Sequence, residues 1–370
     1  MEDFLQRTKY CSSSLEEFQE VYVVLGNEAC DLDSMVSSLI YALSFSKTLS
    51  NFPGKPAAVI PVFNIPRQDF CLRTEAVFLF ARFHIEPRLF TFIDDIDLQM
   101  LLDTKRLKLV LVDHNVLAQA QKHMDVAVIE ILDHHKDLWP THMKVTKTIE
   151  LVGSCSTLVA EKLLPLDILD SQMSNLLLGT ILLDTINLDP RAGRSTDKDK
   201  VIVKRLQDRY PLALDELYIA LSQAKFDVSG LSTQDLLRKD YKALPKNDRE
   251  IPAVGISAVS GLSMGKFFSR NHVQQHILEY CQMASSLDVL VIMFVHFPEG
   301  YNEPPQRQIA VCGPCEELKR KITKYLKASE ELQLKEFNVF HQDCFLYDQE
   351  NITATRKVVF PLVIDFLQSQ

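Results

Sequence analysis

The pattern of apolar and polar positions predicts an α/β fold for the first part of the chain. Short apolar runs rich in valine, isoleucine and leucine alternate with stretches of helical spacing up to about residue 210. Continuous apolar runs of this kind are typical of strands buried on both faces of a parallel sheet. The strands are expected at 21–25, 57–63, 107–112, 126–132 and 148–152, with helices from Ser34, Ser156 and Ser171 and over 71–83. This alternation predicts a doubly wound parallel sheet.

The pattern changes after the polar stretch 189–200, which predicts a second, smaller α/β domain. A turn-rich segment at 227–232 precedes a new set of apolar runs. Strands are expected at 253–259, 289–295 and 308–311, and helices at 266–283, 316–326 and 357–367. We therefore expect an N-terminal domain over 1–210, a linker over 211–230 and a C-terminal domain over 231–370.

Two acids follow the first strand, where open α/β sheets place their ligands. Asp31 and Asp33 lie between the strand 21–25 and the helix that begins at Ser34. Two carboxylates so close together repel each other unless a cation lies between them. Helix capping is the alternative, since aspartate is a good N-cap, but capping requires only one of the two acids.

Further polar clusters follow two other predicted strands. Asp113-His114-Asn115 ends the run 107–112, and Asp133-His134-His135 ends the run 126–132. Asp184 ends the apolar run 176–183. Each could be an ordinary solvated group, but the carboxyl ends of parallel strands meet at one edge, where these side chains could converge. Carboxylates and imidazoles without cysteine favour Mg²⁺, Mn²⁺ or Co²⁺ over structural zinc.

Net charge, the longest apolar stretch and the distribution of cysteines exclude several classes of protein. The 370 residues carry a formal net charge of −9, which argues against general binding to nucleic acids or anionic membranes. The N-terminus is acidic and lacks the apolar core of a signal peptide. The longest apolar stretch, 287–297, falls short of the roughly 18 residues of a membrane span, so no membrane insertion is expected. The eight cysteines are scattered, which indicates reduced thiols in a cytoplasmic protein.

The order of these motifs resembles that of the DHH phosphoesterases. The motifs are 27–34, 112–115, 133–135 and 179–185. They look most like those of the prune exopolyphosphatases and, more distantly, those of the family II inorganic pyrophosphatases. Residues 227–231 and 238–242 look like the start of the DHHA2 domain that accompanies them. The resemblance covers nearly the whole chain and implies an active site in the cleft between a DHH and a DHHA2 domain.

The resemblance also implies roles for individual residues and two divalent cations, Mg²⁺ or Mn²⁺, with Co²⁺ as a further candidate. Asp31 would bind the first cation, Asp33, His134 and Asp184 the second, and Asp113 both. A water between the cations would be the nucleophile. His135 would contact the phosphate or protonate the leaving oxygen, while Lys242 and Arg307 would bind phosphates from the second domain. Asn27, which stands where the pyrophosphatases carry a metal-binding histidine, joins the substrate-binding residues and should weaken the first metal site.

The implied function is hydrolysis of phosphoanhydride bonds in pyrophosphate and short polyphosphates. A cyclic-nucleotide phosphodiesterase is the alternative enzyme, since the same nucleophile could attack either bond. A regulatory binding protein is the alternative from another class. Prune proteins are associated with nucleoside diphosphate kinase, glycogen synthase kinase-3 and cell migration and proliferation, so the resemblance also implies these partners. It further implies nuclear and focal-adhesion locations besides the cytoplasm.

Cys312-Gly313-Pro314-Cys315 has the spacing of a thioredoxin redox motif. Too few residues follow it for a thioredoxin fold, and no tryptophan immediately precedes it. We therefore interpret the CxxC spacing as a coincidence.

Overall fold

The computed structural model describes residues 1–49, 56–244, 252–284, 286–298, 304–337 and 343–369. The chain divides into two compact units, Met1–Lys225 and Phe226–Gln370. Both combine helices with a six-stranded sheet, so the predicted α/β class is confirmed. The finer boundaries 1–210, 211–230 and 231–370 stay a prediction. Within the described ranges, no helix is both long and apolar enough to cross a membrane.

The first unit is built on a parallel sheet with strand order β3-β2-β1-β4-β5-β6. Its strands are β1 Glu20–Leu25, β2 Ala57–Phe63, β3 Thr91–Phe92, β4 Leu107–Val112, β5 Val128–Asp133 and β6 Thr146–Ile149. The helices that precede or follow them are α1 Glu2–Ser13, α2 Leu32–Leu49, α3 Thr74–Arg82, α4 Leu98–Asp103, α5 Cys155–Leu163, α6 Ser171–Asp184, α7 Asp197–Arg209 and α8 Leu214–Phe226.

Alternation along β1 explains why this sheet is buried on both faces. Val24 packs into one apolar cluster with α2, α5 and α6, whereas Val23 and Leu25 pack into the cluster on the other face. The strand order reverses between β1 and β4, the point where doubly wound sheets form their ligand crevice. The fold therefore brings the carboxyl ends of β1, β4 and β5 together at that crevice.

The second unit contains a mixed sheet with strand order β11-β12-β10-β9-β8-β7, in which only β8 and β9 are parallel among the described pairs. Its strands are β7 Tyr241–Ala243, β8 Val254–Ser260, β9 Val289–His296, β10 Gln306–Cys312, β11 Leu334–Glu336 and β12 Phe345–Gln349. Its helices are α9 Thr233–Lys239, α10 Met264–Phe268, α11 Val273–Met283, α12 Glu316–Ala328 and α13 Arg356–Gln368. Helices α9 to α11 cover one face, and α12 and α13 cover the other.

Three local predictions were wrong. The helix expected over 266–283 is two helices, because the chain turns at His272, which has a left-handed φ of 54°. The strand expected over 126–132 begins at Val128, since 3₁₀ turns occupy Gln119–Ala127. The strand expected over 148–152 starts two residues earlier and ends sooner, since β6 spans Thr146–Ile149; it lies at the edge of the sheet and pairs in parallel with β5.

Candidate metal centre and active site

The loop after β1 fixes Asp31 at the edge of the sheet. Gly26 begins the loop, and a Cβ there would lie 2.5 Å from Oγ of Ser34, so a larger residue does not fit. The Asn27 amide donates to that same hydroxyl at 2.7 Å. The Ser34 amide donates to Oδ1 of Asp31 at 3.1 Å. Asp31 therefore does cap α2, but this capping leaves Asp33 unexplained.

Asp33 is anchored by the N-terminus of another helix. Its side chain is buried, and Oδ2 accepts a hydrogen bond from the Cys155 amide at 2.6 Å. Oδ1 accepts from the Ser156 amide at 2.8 Å and from the Ser156 hydroxyl at 2.7 Å. The positive end of the α5 dipole also favours a carboxylate at this position. Asp33 is thus held in one orientation, and no lysine or arginine of the described ranges forms an ion pair with it.

Asp113 lies at the centre of the cluster. Its backbone has a left-handed φ of 62°, and Nδ2 of Asn27 donates to its Oδ2 at 2.8 Å. Nε2 of His134 lies 3.2 Å from its Oδ1 and 3.8 Å from Oδ2 of Asp33. Burial, followed by the charges of Asp33 and Asp31, raises the pKa of Asp113 well above its usual value. A bound cation would offset the repulsion between Asp113 and these two carboxylates.

The orientation of His134 suits a metal ligand. Its Nδ1 lies 2.9 Å from the Val152 carbonyl oxygen. A proton on Nδ1 satisfies that carbonyl and leaves the Nε2 lone pair facing Asp113 and Asp33. Burial opposes the charged imidazolium, but the Asp33 carboxylate and the Val152 carbonyl raise the pKa of His134 overall.

Asp184 closes the cluster from the end of α6. Its Oδ2 is buried and accepts no hydrogen bond from the described residues. Burial, followed by the charges of Asp33 and Asp31, raises the pKa of this carboxyl well above its usual value. Asp184 is therefore not a solvated helix-end residue. A buried oxygen without a donor, facing other carboxylates, is what a cation site requires.

His135 is oriented by the buried carboxylate of Asp133, which was not among the predicted site residues. Nδ1 of His135 lies 2.8 Å from Oδ1 of Asp133, and Nδ2 of Asn115 contacts the other oxygen. The hydrogen bond to Asp133 raises the pKa of His135, while burial acts in the opposite direction. The Asp-His-His spacing was the available signal for Asp133, because the motif itself begins with this residue.

These side chains surround a cavity of about 620 Å³ in the first unit. Its wall includes all six residues of the first unit that were predicted to bind metal or act in catalysis, and it also includes Asn27. The six are Asp31, Asp33, Asp113, His134, His135 and Asp184. Asp113, His134 and His135 each offer a ligand atom, and these atoms lie within 4.8 Å of one another. Oxygen and imidazole donors fit Mn²⁺ or Mg²⁺, and the unpaired Asp184 oxygen supports that fit.

The two predicted phosphate-binding residues belong to the second unit. Lys242 is exposed on β7, and Arg307 is half-buried on β10. Strands β8 and β9 separate them in the sheet. Nε of Arg307 donates to the Ile352 carbonyl at 2.6 Å, and burial lowers the pKa of its guanidinium. Their predicted contact with substrate stays a prediction.

Comparisons with known proteins agree with this architecture. Residues 21–184 match the family model of the DHH family, N-terminal domain, and residues 219–366 match the DHHA2 domain. Exopolyphosphatase PRUNE1 of Bos taurus is 40% identical over 379 residues, an alignment that covers 100% of this chain and 80% of that protein. A manganese-dependent inorganic pyrophosphatase of Methanothrix thermoacetophila is 26% identical, over 74% of this chain and 80% of its own.

A solved structure supports the fold. The putative family II inorganic pyrophosphatase of Methanococcus jannaschii superposes with a TM-score of 0.50 at 18% identity, covering 94% of this chain and 99% of that one. Fold and sequence together define a two-domain protein with a DHH and a DHHA2 domain. Within that class, the chain belongs to the family of the PRUNE1 exopolyphosphatases. The resemblance found in the motifs is thereby confirmed.

Proposed function

We propose that this protein is a metal-dependent hydrolase of phosphoanhydride bonds in pyrophosphate and short-chain polyphosphate. The observation that carries the proposal is the cluster of Asp31, Asp33, Asp113, His134 and Asp184 around one cavity. Asp33 and Asp113 in this cluster are buried. Such a concentration of negative charge is unfavourable unless cations neutralise it. The names of the exopolyphosphatase and pyrophosphatase relatives support hydrolase activity and this substrate class.

Two divalent cations, Mn²⁺ or Mg²⁺, are the proposed cofactors. Asp31 would hold the first, Asp33, His134 and Asp184 the second, and Asp113 would be shared. The manganese dependence named for the Methanothrix thermoacetophila relative supports Mn²⁺. When bound, such cations supply Lewis-acid activation of a water molecule and neutralise charge on the phosphates.

The protein's own contribution is orientation and proton transfer. The α5 amides hold both oxygens of Asp33, and Val152 fixes the ring of His134, so the ligands need little rearrangement to bind. His135, held by Asp133, would donate its proton to the leaving phosphate oxygen or bind the phosphate directly. Its raised pKa supports the protonated form that this role requires.

We propose that positively charged side chains of the second unit bind the phosphates of the substrate. Arg307 presents a guanidinium suited to bidentate contact with phosphate, and Lys242 offers an exposed point charge. We propose that these side chains contact the phosphates remote from the metals. Asn27 would contribute to substrate binding beside the first metal site. Its side-chain amide, which donates to Asp113, would also position that carboxylate.

The test is phosphate release from pyrophosphate and tripolyphosphate by the wild type and by Asp113→Ala, with and without Mn²⁺ or Mg²⁺. The proposal predicts metal-dependent release by the wild type and a loss of at least about 1,000-fold in the variant. Asp103→Ala, which alters an exposed acid at the end of α4, is the control and should behave as the wild type. Equal rates with Asp113→Ala would refute the proposal, and cyclic nucleotides in the same panel test the phosphodiesterase alternative.

The kinase partners and the nuclear and focal-adhesion locations remain predictions from the resemblance. A pull-down with nucleoside diphosphate kinase or glycogen synthase kinase-3 as bait tests the partners. Retention of Asp31→Ala at wild-type levels would show that binding does not depend on the metals. Absence of binding by the wild type would remove the partner prediction.

A further inference from the structure

Three thiols lie together in the second unit. Cys281 on α11 and Cys312 at the end of β10 are both fully buried in the apolar cluster beneath α9 to α11. Cys344, immediately before β12, packs against the same cluster and is partly exposed. None of these three cysteines forms a disulfide bond in the structure.

The strand register places Cys312 directly opposite Cys344. Strands β10 and β12 are antiparallel, and Val311 pairs with Phe345. The next position outward on both strands is therefore Cys312 on β10 and Cys344 beside β12. Residues directly opposite each other on antiparallel strands have Cα atoms roughly 4.5–5.5 Å apart, within the range of roughly 4.4–6.8 Å found across disulfides. The two thiols are also hydrogen-bonded to each other.

The neighbouring CxxC spacing does not supply the partner of Cys312. Cys315 precedes α12 and packs against the cluster formed with α12 and α13, on the opposite face of the sheet. Cys312 faces the cluster formed with α9 to α11. The structure thus separates the two cysteines that the sequence pairs most naturally.

A buried cation stands next to the opposed pair. Lys319 of α12 has a side chain only 3% exposed, and its Nζ donates to the carbonyl of Asp343 at 2.6 Å. Asp343 directly precedes Cys344. The ammonium also forms an ion pair with Glu316 at 2.9 Å. The thiolate is the form of a cysteine that reacts with peroxides.

We propose that Cys312 and Cys344 are a redox pair that forms a cross-strand disulfide when the protein meets hydrogen peroxide. The partly exposed Cys344 reacts first: its thiolate attacks one peroxide oxygen, gives a sulfenic acid and releases hydroxide, which takes up a proton to become water. The Cys312 sulfur then attacks the Cys344 sulfur, and the sulfenic hydroxyl leaves with the Cys312 proton as water. Two thiols are oxidised and one peroxide is reduced to two waters.

Burial and the Cys344 hydrogen bond raise the pKa of Cys312, which suits the resolving rather than the peroxide-reactive position. Burial likewise raises the pKa of Cys281 to about 12. The disulfide would join β10 to β12 across the segment that contains α12 and β11. It would restrict the unfolded chain and stabilise the strand that carries Arg307.

The test is peptide mapping under non-reducing conditions after treatment of the full chain with hydrogen peroxide. We expect a peptide that links Cys312 to Cys344, abolished by dithiothreitol and absent from Cys312→Ser. Cys281→Ser and Cys315→Ser are the matched controls and should retain the link. The unfolding midpoint of the wild type should rise by about 5 °C on oxidation, and that of Cys312→Ser should not.

Linkage of Cys312 to Cys315, linkage of Cys344 to Cys281, or a sulfenic acid at Cys344 without any linkage would each overturn the proposal. Since the wild type alone gives the peptide map, the result does not depend on whether a variant folds. Phosphate release is not used as the readout, so the outcome is independent of the proposed hydrolase activity.

Discussion

Oδ1 of the fully buried Asp133 lies 2.8 Å from Nδ1 of His135, whose own side chain is 58% exposed. One end of the ring is thus held by a fixed carboxylate, while the rest faces the cavity. Asp133 also accepts a hydrogen bond from the His134 amide at 2.8 Å. This carboxylate therefore acts on the candidate site through its histidine neighbours.

Asp133→Asn should lower kcat for pyrophosphate hydrolysis by about 10–100-fold. The variant loses the negative charge that orients the His135 ring and raises its pKa. Asp137→Asn is the control, since Asp137 is an exposed acid of the same loop that forms an ion pair with Lys147. Steady-state kinetics with saturating Mn²⁺ measure the effect. Equal kcat values for both variants would show that the Asp133 hydrogen bond is only structural.

Asp184→Asn should raise the unfolding temperature of the metal-free protein, because it removes a buried charge that faces other carboxylates. The same change should reduce the increase in unfolding temperature that Mn²⁺ produces in the wild type. Thermal unfolding with EDTA and with Mn²⁺ measures both effects.

Asp170→Ala provides the control for Asp184. It removes the N-cap of the same helix, where the carboxylate accepts from the Met173 amide at 2.8 Å. This variant should lose about 1 kcal/mol of stability but keep the full Mn²⁺ effect. A wild-type Mn²⁺ effect in Asp184→Asn would exclude Asp184 as a metal ligand.

Asp199→Asn should destabilise the protein by about 3 kcal/mol, because a fully buried acceptor would become partly a donor. Asp199 accepts from the Gly153 amide at 2.9 Å and from the Thr157 hydroxyl at 2.6 Å, next to the α5 amides that hold Asp33. Asp197→Asn changes an exposed acid on the same helix and should leave the free energy of unfolding unchanged. Chemical denaturation compares the two variants. Similar unfolding midpoints would contradict the view that Asp199 stabilises the start of α5.

Lys242→Ala and Arg307→Lys should each raise KM for pyrophosphate by about tenfold if these cations bind the remote phosphate. Arg307→Lys keeps the positive charge and removes only the planar guanidinium group. Lys335→Ala, an exposed lysine on β11 of the same sheet, is the control. Unchanged KM in both variants would remove the second unit from substrate recognition.

The convergence of the site was predictable because parallel strands align their carboxyl ends. The runs before Asp31, Asp113 and Asp133 are mostly apolar, so their strands and the polar residues that follow could be recognised without coordinates. Asp184 was predictable for a different reason, since it ends a long apolar run, where a carboxylate is expected to need a partner. Motif order supplied the family.

The supporting contacts were not predictable from the sequence. The amides of Cys155 and Ser156 reach Asp33 only after the chain has crossed the sheet, and nothing near Asp33 in the sequence indicates them. The opposition of Cys312 and Cys344 depends on β12, which is too short to recognise and ends in polar residues. The break at His272 carries no glycine or proline signal, so one long helix was expected where two exist.

Anomalous diffraction from crystals grown with Mn²⁺ and a phosphate analogue tests the central claim most directly. The account predicts two manganese peaks on either side of Asp113, one contacting Asp31 and the other contacting Asp33, His134 and Asp184. Manganese bound elsewhere, or no peak beside these carboxylates at saturating Mn²⁺, would contradict it.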